Sequence, residues 1–218
     1  MSAQDVATRY RSEIAALPRR DTPHLRALRR TWSQALKPEA GDHVVAVAEA
    51  LEAVSPQEGK WLAYELIRHH KAAFAEVSQT VAERFAERAA SWYAVDALGT
   101  ILTGPLWAKG RLPDDLFDAW SRSESRWLRR SALVATVGLN AAGPDPARTF
   151  PLCLRLADDR DDMVEKAVSW ALRWLAQKDR GVVEAFMAEH GGRFRPRVRR
   201  EVGHKLRTGL KSGRERVV

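Results

Sequence analysis

The sequence predicts an all-α solenoid of stacked helix pairs, and three features carry that prediction. Apolar residues recur at helical spacing, as in Leu62, Leu66 and Ile67 or in Val164, Val168, Leu172 and Leu175, and no stretch alternates as a strand would. Helix start signals are frequent. The connections between periodic stretches are short, as antiparallel neighbours require.

Taken in order, helices are expected near residues 4–17, 22–36, 42–53, 56–70, 74–88, 91–103, 113–122, 125–140, 145–157, 161–177, 179–190 and 195–210. Asp42 before His43-Val44-Val45 is a start signal, Ser55-Pro56 puts Pro at a first helical position, and Leu112-Pro113-Asp114-Asp115 opens another helix. Asp161 or Asp162 can cap the helix that carries Val164 to Leu175. Twelve such helices make roughly six pairs of about 35–40 residues, the scale of HEAT or armadillo repeats. A single pair cannot bury its apolar face alone, so stacking creates the core. Period alone does not separate this α-α superhelix from a compact helical bundle, which stays the structural alternative at this point. The whole chain, 1–218, reads as one domain, with a tail expected to be loose from about Lys211.

The chain has 218 residues, 45% hydrophobic and 29% charged, a globular balance long enough for a sizeable core. No apolar run approaches the ~20 residues that cross a bilayer, so no membrane role is expected. Met1-Ser2-Ala3-Gln4-Asp5 lacks the basic and apolar regions of a secretory signal, and the expected location is cytoplasmic. The one cysteine, Cys153, lies in the apolar stretch Phe150-Pro151-Leu152-Cys153-Leu154 and is expected to be a buried thiol. It excludes an internal disulfide and a cysteine metal cluster. The six His show no ligand spacing for zinc, and no phosphate loop or Gly-x-Ser-x-Gly elbow occurs. His69-His70-Lys71 is expected to meet terminal carbonyls at a helix end. Asp158-Asp159-Arg160-Asp161-Asp162 reads as an acidic helix cap, since it lacks the Gly and trailing Glu of a calcium loop. No cofactor is expected.

The net charge of +8 is localised. Arg193 to Val218 holds ten Lys or Arg against two Glu, so the last 26 residues carry the whole excess. The last helix sets a basic stripe of Arg197, Arg200, His204, Arg207 and Lys211 opposite Val198, Val202, Leu206 and Leu210. Phosphate binding would explain that stripe, the alternative being a solvated capping helix. Arg19, Arg20, Arg26, Arg29 and Arg30 would extend a cationic surface near the other end.

Eight Trp is a high number, and two of them have telling neighbours. Trp32, Trp61, Trp107, Trp120, Trp127 and Trp174 are expected in the core or lining a groove. Trp92 and Asp96 sit four residues apart and share a helix face. Arg130 follows 38 residues after Trp92, in Arg126-Trp127-Leu128-Arg129-Arg130, and Trp170 follows 40 after that. Both intervals are about one repeat, and positions one repeat apart stack on one surface. Trp92, Asp96, Arg130 and Trp170 are therefore expected to converge.

The set Trp-x-x-x-Asp, a Trp-x-x-Arg-type helix start, and a Trp in an apolar helix after an acidic turn resembles the AlkD-like DNA alkylation repair glycosylases, a HEAT-like family. The resemblance is best from about Glu58 to Phe186; towards the N-terminus only Leu25-Arg26-Ala27-Leu28-Arg29 looks similar. It implies an enzyme that excises N3- or N7-alkylated purines from double-stranded DNA. Asp96 would stabilise oxocarbenium charge and position water, and Trp92 and Trp170 would cradle the cationic nucleotide. Arg130 would either hold a backbone phosphate or orient Asp96. Arg129 and the stripe on the last helix would contact the DNA backbone. The chain would act as a monomer. The competing reading is a non-catalytic HEAT scaffold that binds nucleic acid or an acidic protein, because the fold alone says nothing of activity.

Overall fold

The computed structural model describes residues 1–55 and 57–210, and within them the chain is helical without a strand. The helices are α1 (Ala3–Ala15), α2 (Thr22–Leu36), α3 (Gly41–Val54), α4 (Gln57–Arg68), α5 (Lys71–Glu76), α6 (Gln79–Arg88), α7 (Trp92–Ala97), α8 (Gly104–Ala108), α9 (Asp114–Ser121), α10 (Arg126–Ala142), α11 (Pro146–Arg155), α12 (Asp162–Lys178), α13 (Arg180–His190) and α14 (Pro196–Thr208). They form the helical-repeat solenoid that the spacing predicts. Successive inner helices α2, α4, α7, α10, α12 and α14 pack side by side, and the other row begins α1, α3, α5. Helix α10 is buried continuously from Arg130 to Asn140 and forms the spine of the molecule. Among the described residues, no helix is long and apolar enough to cross a membrane.

Polar cross-links show the repeat directly. Arg84 donates to Glu49 across 35 residues, Arg148 to Asp114 across 34, Arg197 to Asp162 across 35, and Arg130 to Asp96 across 34. Each joins equivalent places in neighbouring repeats. Glu52 is fully buried and is held the same way by Arg88, one repeat on, and by Lys60 at 2.5 Å.

Local chemistry sets several boundaries differently from the periodic expectation. The stretch 74–88 is two helices, because the Ser78 hydroxyl accepts from the Val81 N–H and starts α6 afresh. His70 does not close a helix. Its Nδ1 accepts from the Ala73 N–H and caps α5, while His69 pairs with Glu65 at 3.1 Å. Asp42 lies inside the first turn of α3, whose cap is Ala40. Asp161, of the two candidates, caps α12 by accepting from Met163 and Val164. Pro56 of the Ser55-Pro56 signal lies outside the described residues, as do Lys211 and the tail that follows it. Cys153 is fully buried, and burial pushes its thiol up, so it stays protonated.

The expected helix 91–103 continues to Ala108, passing through a π-helical segment at Leu98–Thr103. That segment lies against α10 almost backbone to backbone. A Cβ on Gly99 would stand 2.7 Å from Val134 Cγ1, and one on Gly104 would stand 2.6 Å from Gly138 Cα. The matched positions 99 with 134 and 104 with 138 run in parallel, and the same register carried back reaches Asp96 and Arg130.

Gly104→Ala is expected to cost about 1–3 kcal/mol through forced overpacking. Gly203→Ala, where the added Cβ meets only the end of the Arg207 side chain at 3.2 Å, is expected to gain about 0.5–1 kcal/mol as a helical Gly replacement. Urea denaturation of both variants checks the contrast, and equal effects would contradict the close-approach account.

Candidate active site

Helix α7 starts where Ser91 accepts from the Ala94 N–H, which fixes the rotation of a short helix carrying both Trp92 and Asp96. Ala94, Val95 and Ala97 on its other faces are buried. The Thr100 hydroxyl donates to the Asp96 carbonyl at 2.6 Å, tying the acid to the start of the π segment. π-helical insertions are rare and concentrate at functional sites, where they re-aim a side chain.

Arg130 Nε donates to Asp96 Oδ1 and Nη2 donates to Oδ2, both at 2.9 Å, a two-pronged pair. The third nitrogen, Nη1, donates to the Met163 carbonyl at the start of α12. The Arg130 side chain is only 6% exposed. Each of its three nitrogens is engaged and the side chain is almost fully buried, so it is turned towards Asp96 and α12 rather than towards solvent. Of the two contacts expected for Arg130, the one present is that with Asp96.

Asp96 keeps one edge open, with 22% of its side chain exposed, and lines a groove of about 420 Å³. Burial raises its carboxyl above the ordinary value, and the Arg130 charge and hydrogen bonds offset this only in part. Trp92 and Trp170 line the same groove, Trp92 being 55% exposed and Trp170 half-buried on α12. Trp92 meets Tyr93 edge to face, with centroids 6.0 Å apart. Three of the four converging residues thus face the groove, and Arg130 stands behind the fourth.

Three further liners were not singled out for a role in the site: Trp61 from α4, Tyr93 beside Trp92, and Arg26 from α2. A signal for two of them exists. Stepping back by 35 from Asp96 reaches Trp61, and by 35 again reaches Arg26. Trp32, Trp107 and Trp120 are core residues, at 1%, 2% and 5% exposure. No group of acids, His and Cys able to hold a metal occurs among the described residues.

The expected backbone contacts divide. Arg129 Nε donates to Asp159 at 2.7 Å and its Nη1 to the Ser123 and Glu124 carbonyls, so it braces the α9–α10 turn. Arg197 is bound to Asp162 and lies 3.7 Å from Glu165. Asp159, Asp161 and Asp162 of the acidic run are engaged in caps and pairs. His204 meets Thr208 on its own helix. Arg200 and Arg207 are exposed and have no acidic partner among the described residues, and Arg199 joins them. Val198 and Val202 are fully buried and dock α14, whereas Leu210 is exposed.

A solved structure from Enterococcus faecalis, described as a predicted DNA alkylation repair enzyme, superposes over 95% of this chain and 98% of its own, with a TM-score of 0.70 and 19% identity. At that identity the likeness concerns the fold. No curated protein matches the sequence. The family model described as DNA alkylation repair enzyme matches residues 20–206, a span that takes in α2 through most of α14 and every groove residue named above, and the chain belongs to that family.

Proposed function

We propose that the protein is a DNA N-glycosylase that removes positively charged N3- or N7-alkylated purines from double-stranded DNA and leaves an abasic site. The observation that carries the reading is the Asp96 carboxylate, held in two-pronged fashion by a buried Arg130 at the wall of an aromatic groove.

An N7- or N3-alkylpurine is cationic, so its ring takes the electron pair of the C1′–N9 bond and leaves as a neutral base. Positive charge then develops on the deoxyribose. Asp96, oriented by its pair with Arg130, stabilises that charge and accepts a hydrogen bond from the attacking water. Water adds at C1′ and gives up a proton, completing the hydrolysis. Trp92 and Trp170, with Trp61, offer π faces to the cationic nucleotide, and such contacts gain strength when desolvated. The site needs no cofactor for this chemistry. Arg200 and Arg207 would hold the backbone of the duplex at the α14 end.

Purified protein is incubated with a duplex carrying one 7-methylguanine, and released base is measured. Wild type is expected to release it. Asp96→Asn, nearly isosteric, is expected to lose at least about 100-fold in rate, the scale of one lost electrostatic contributor, while binding DNA as well or better. Equal release by both proteins would remove Asp96 from the role, and no release by wild type would favour the non-catalytic scaffold.

The pH dependence has a definite sign. The active form is the carboxylate, and its raised pKa means that the charged fraction is lost earlier as pH falls. The acid limb of the enzyme-dependent rate is expected above the ordinary Asp value of 3.8. A limb at or below that value would contradict the burial argument. Arg200→Ala with Arg207→Ala is expected to weaken binding to all duplex sequences and to flatten the slope of log K against log salt by about 2. An unchanged slope would remove α14 from the DNA interface.

A further inference from the structure

Away from the Asp96 groove the molecule has a larger cleft of about 770 Å³, between the C-terminal half of α2 and the turn from α4 into α5. Its cationic liners are Arg29, Arg30, Lys37 and Lys71, with His69 and His70 at the turn. The acids that face them are few. Glu39 lines the cleft, and Glu65 is shared between Arg29 at 3.6 Å and His69 at 3.1 Å. Arg30, Lys37 and Lys71 are exposed and have no acidic partner among the described residues. The His70 ring is occupied, its Nδ1 accepting from the Ala73 N–H.

Oγ of Ser33 is buried in this cleft without a hydrogen-bond partner among the described residues, and Nε of Arg29, also buried, has only its long ion pair with Glu65 at 3.6 Å. Buried polar groups are seldom left unmatched, and a hydroxyl and a guanidinium N–H are both donors of the kind that a nearby anion would satisfy. A guanidinium, a hydroxyl and three free cations around an open cleft suit phosphate oxygens better than any apolar ligand.

The cleft and the groove are both walled by α2. Thr22, Leu25 and Arg26 line the Asp96 groove, and Arg29, Arg30, Ser33, Gln34 and Lys37 line the cleft. These residues recur at steps of three and four, so they occupy one face of α2. From Arg26 to Lys37 that face runs about 16 Å, at 1.5 Å per residue. About four or five nucleotides of one strand cover the same length.

We propose that this cleft is a second phosphate-binding site, which holds the backbone of the DNA about four or five nucleotides to one side of the base in the Asp96 groove. It rests on the reading of that groove as the place where DNA is held. The cleft contributes affinity and register and takes no part in bond breaking.

The test is the triple variant Arg30→Gln, Lys37→Gln, Lys71→Gln in the full chain. All three side chains are exposed and break no ion pair among the described residues, and thermal melting verifies that the fold is kept. Binding to an undamaged duplex of about 20 base pairs is followed by fluorescence anisotropy across a salt series. The expected result is a loss of about 10-fold or more in affinity, with a slope in log salt flatter by about 2–3, the loss of two or three phosphate contacts. Affinity and slope equal to wild type would overturn the proposal. So would inorganic phosphate binding that the triple variant abolishes without any change in DNA affinity, because the cleft would then serve a small free anion. If wild type releases no base and the variant still loses DNA affinity, the glycosylase reading fails and the cleft stands. If wild type releases base and the variant binds DNA as wild type does, the cleft alone fails.

Discussion

The pairing of Asp96 with Arg130 is the constraint around which the centre of the molecule is arranged. A carboxylate and a guanidinium taken out of water repay their desolvation only with near-ideal geometry and every remaining hydrogen bond satisfied. The geometry is secured here by backbone contact. Gly99, Gly104 and Gly138 let the π segment and α10 approach so closely that the two helices share one register, and that register delivers Asp96 to Arg130. The Met163 carbonyl takes up the last nitrogen and ties α12, which carries Trp170, to the same point. Three successive inner helices are thereby fixed around one ion pair. The acid keeps a single open edge, and the raised pKa is the electrostatic trace of that enclosure.

Much of this was legible in the sequence, and the divisions have physical causes. Helix order and the length of the repeat follow from apolar periodicity, and the convergence of Trp92, Asp96 and Trp170 on one groove follows from the repeat. The role of Arg130 stayed open between a phosphate and Asp96, because spacing along the chain places a residue on a surface without saying how deep it lies. The same limit applies to Arg129 and Arg197, whose carboxylate partners, Asp159 and Asp162, come from neighbouring elements. The π segment left no periodic mark, since Leu98-Gly99-Thr100-Ile101-Leu102 is apolar enough to suit any helix. Trp61 and Arg26 were legible in principle, at steps of 35 from Asp96, but lacked the neighbouring motif that drew attention to Trp92.

Charge is distributed along the inner row in a way that suits a polyanion. The middle presents indoles and one ion-paired carboxylate, whereas exposed cations without an acidic partner among the described residues stand on α14 at one end and beside α2 at the other. With inner helices spaced about 8–10 Å apart, five steps separate those ends by about 40–50 Å. Under the proposed function, that arrangement would divide the work between non-selective attraction at the ends and recognition in the centre, the separation expected between contacts that position a duplex and contacts that read it.

The cross-links between repeats have a consequence for assembly. Arrays of similar units can stack out of order, because one apolar face resembles the next. Here the junctions differ in their polar pattern. Glu49 and Glu52 on one repeat meet Arg84 and Arg88 on the next, Asp96 meets Arg130, Asp114 meets Arg148, and Arg29 meets Glu65 with the order of charges reversed. A skipped unit at the second junction would strand the fully buried Glu52 without its Arg88 partner, and one at the first would bring Arg29 to a place without Glu65. The same side chains that clamp neighbours together also work as addresses, telling each unit of the array which one may dock beside it.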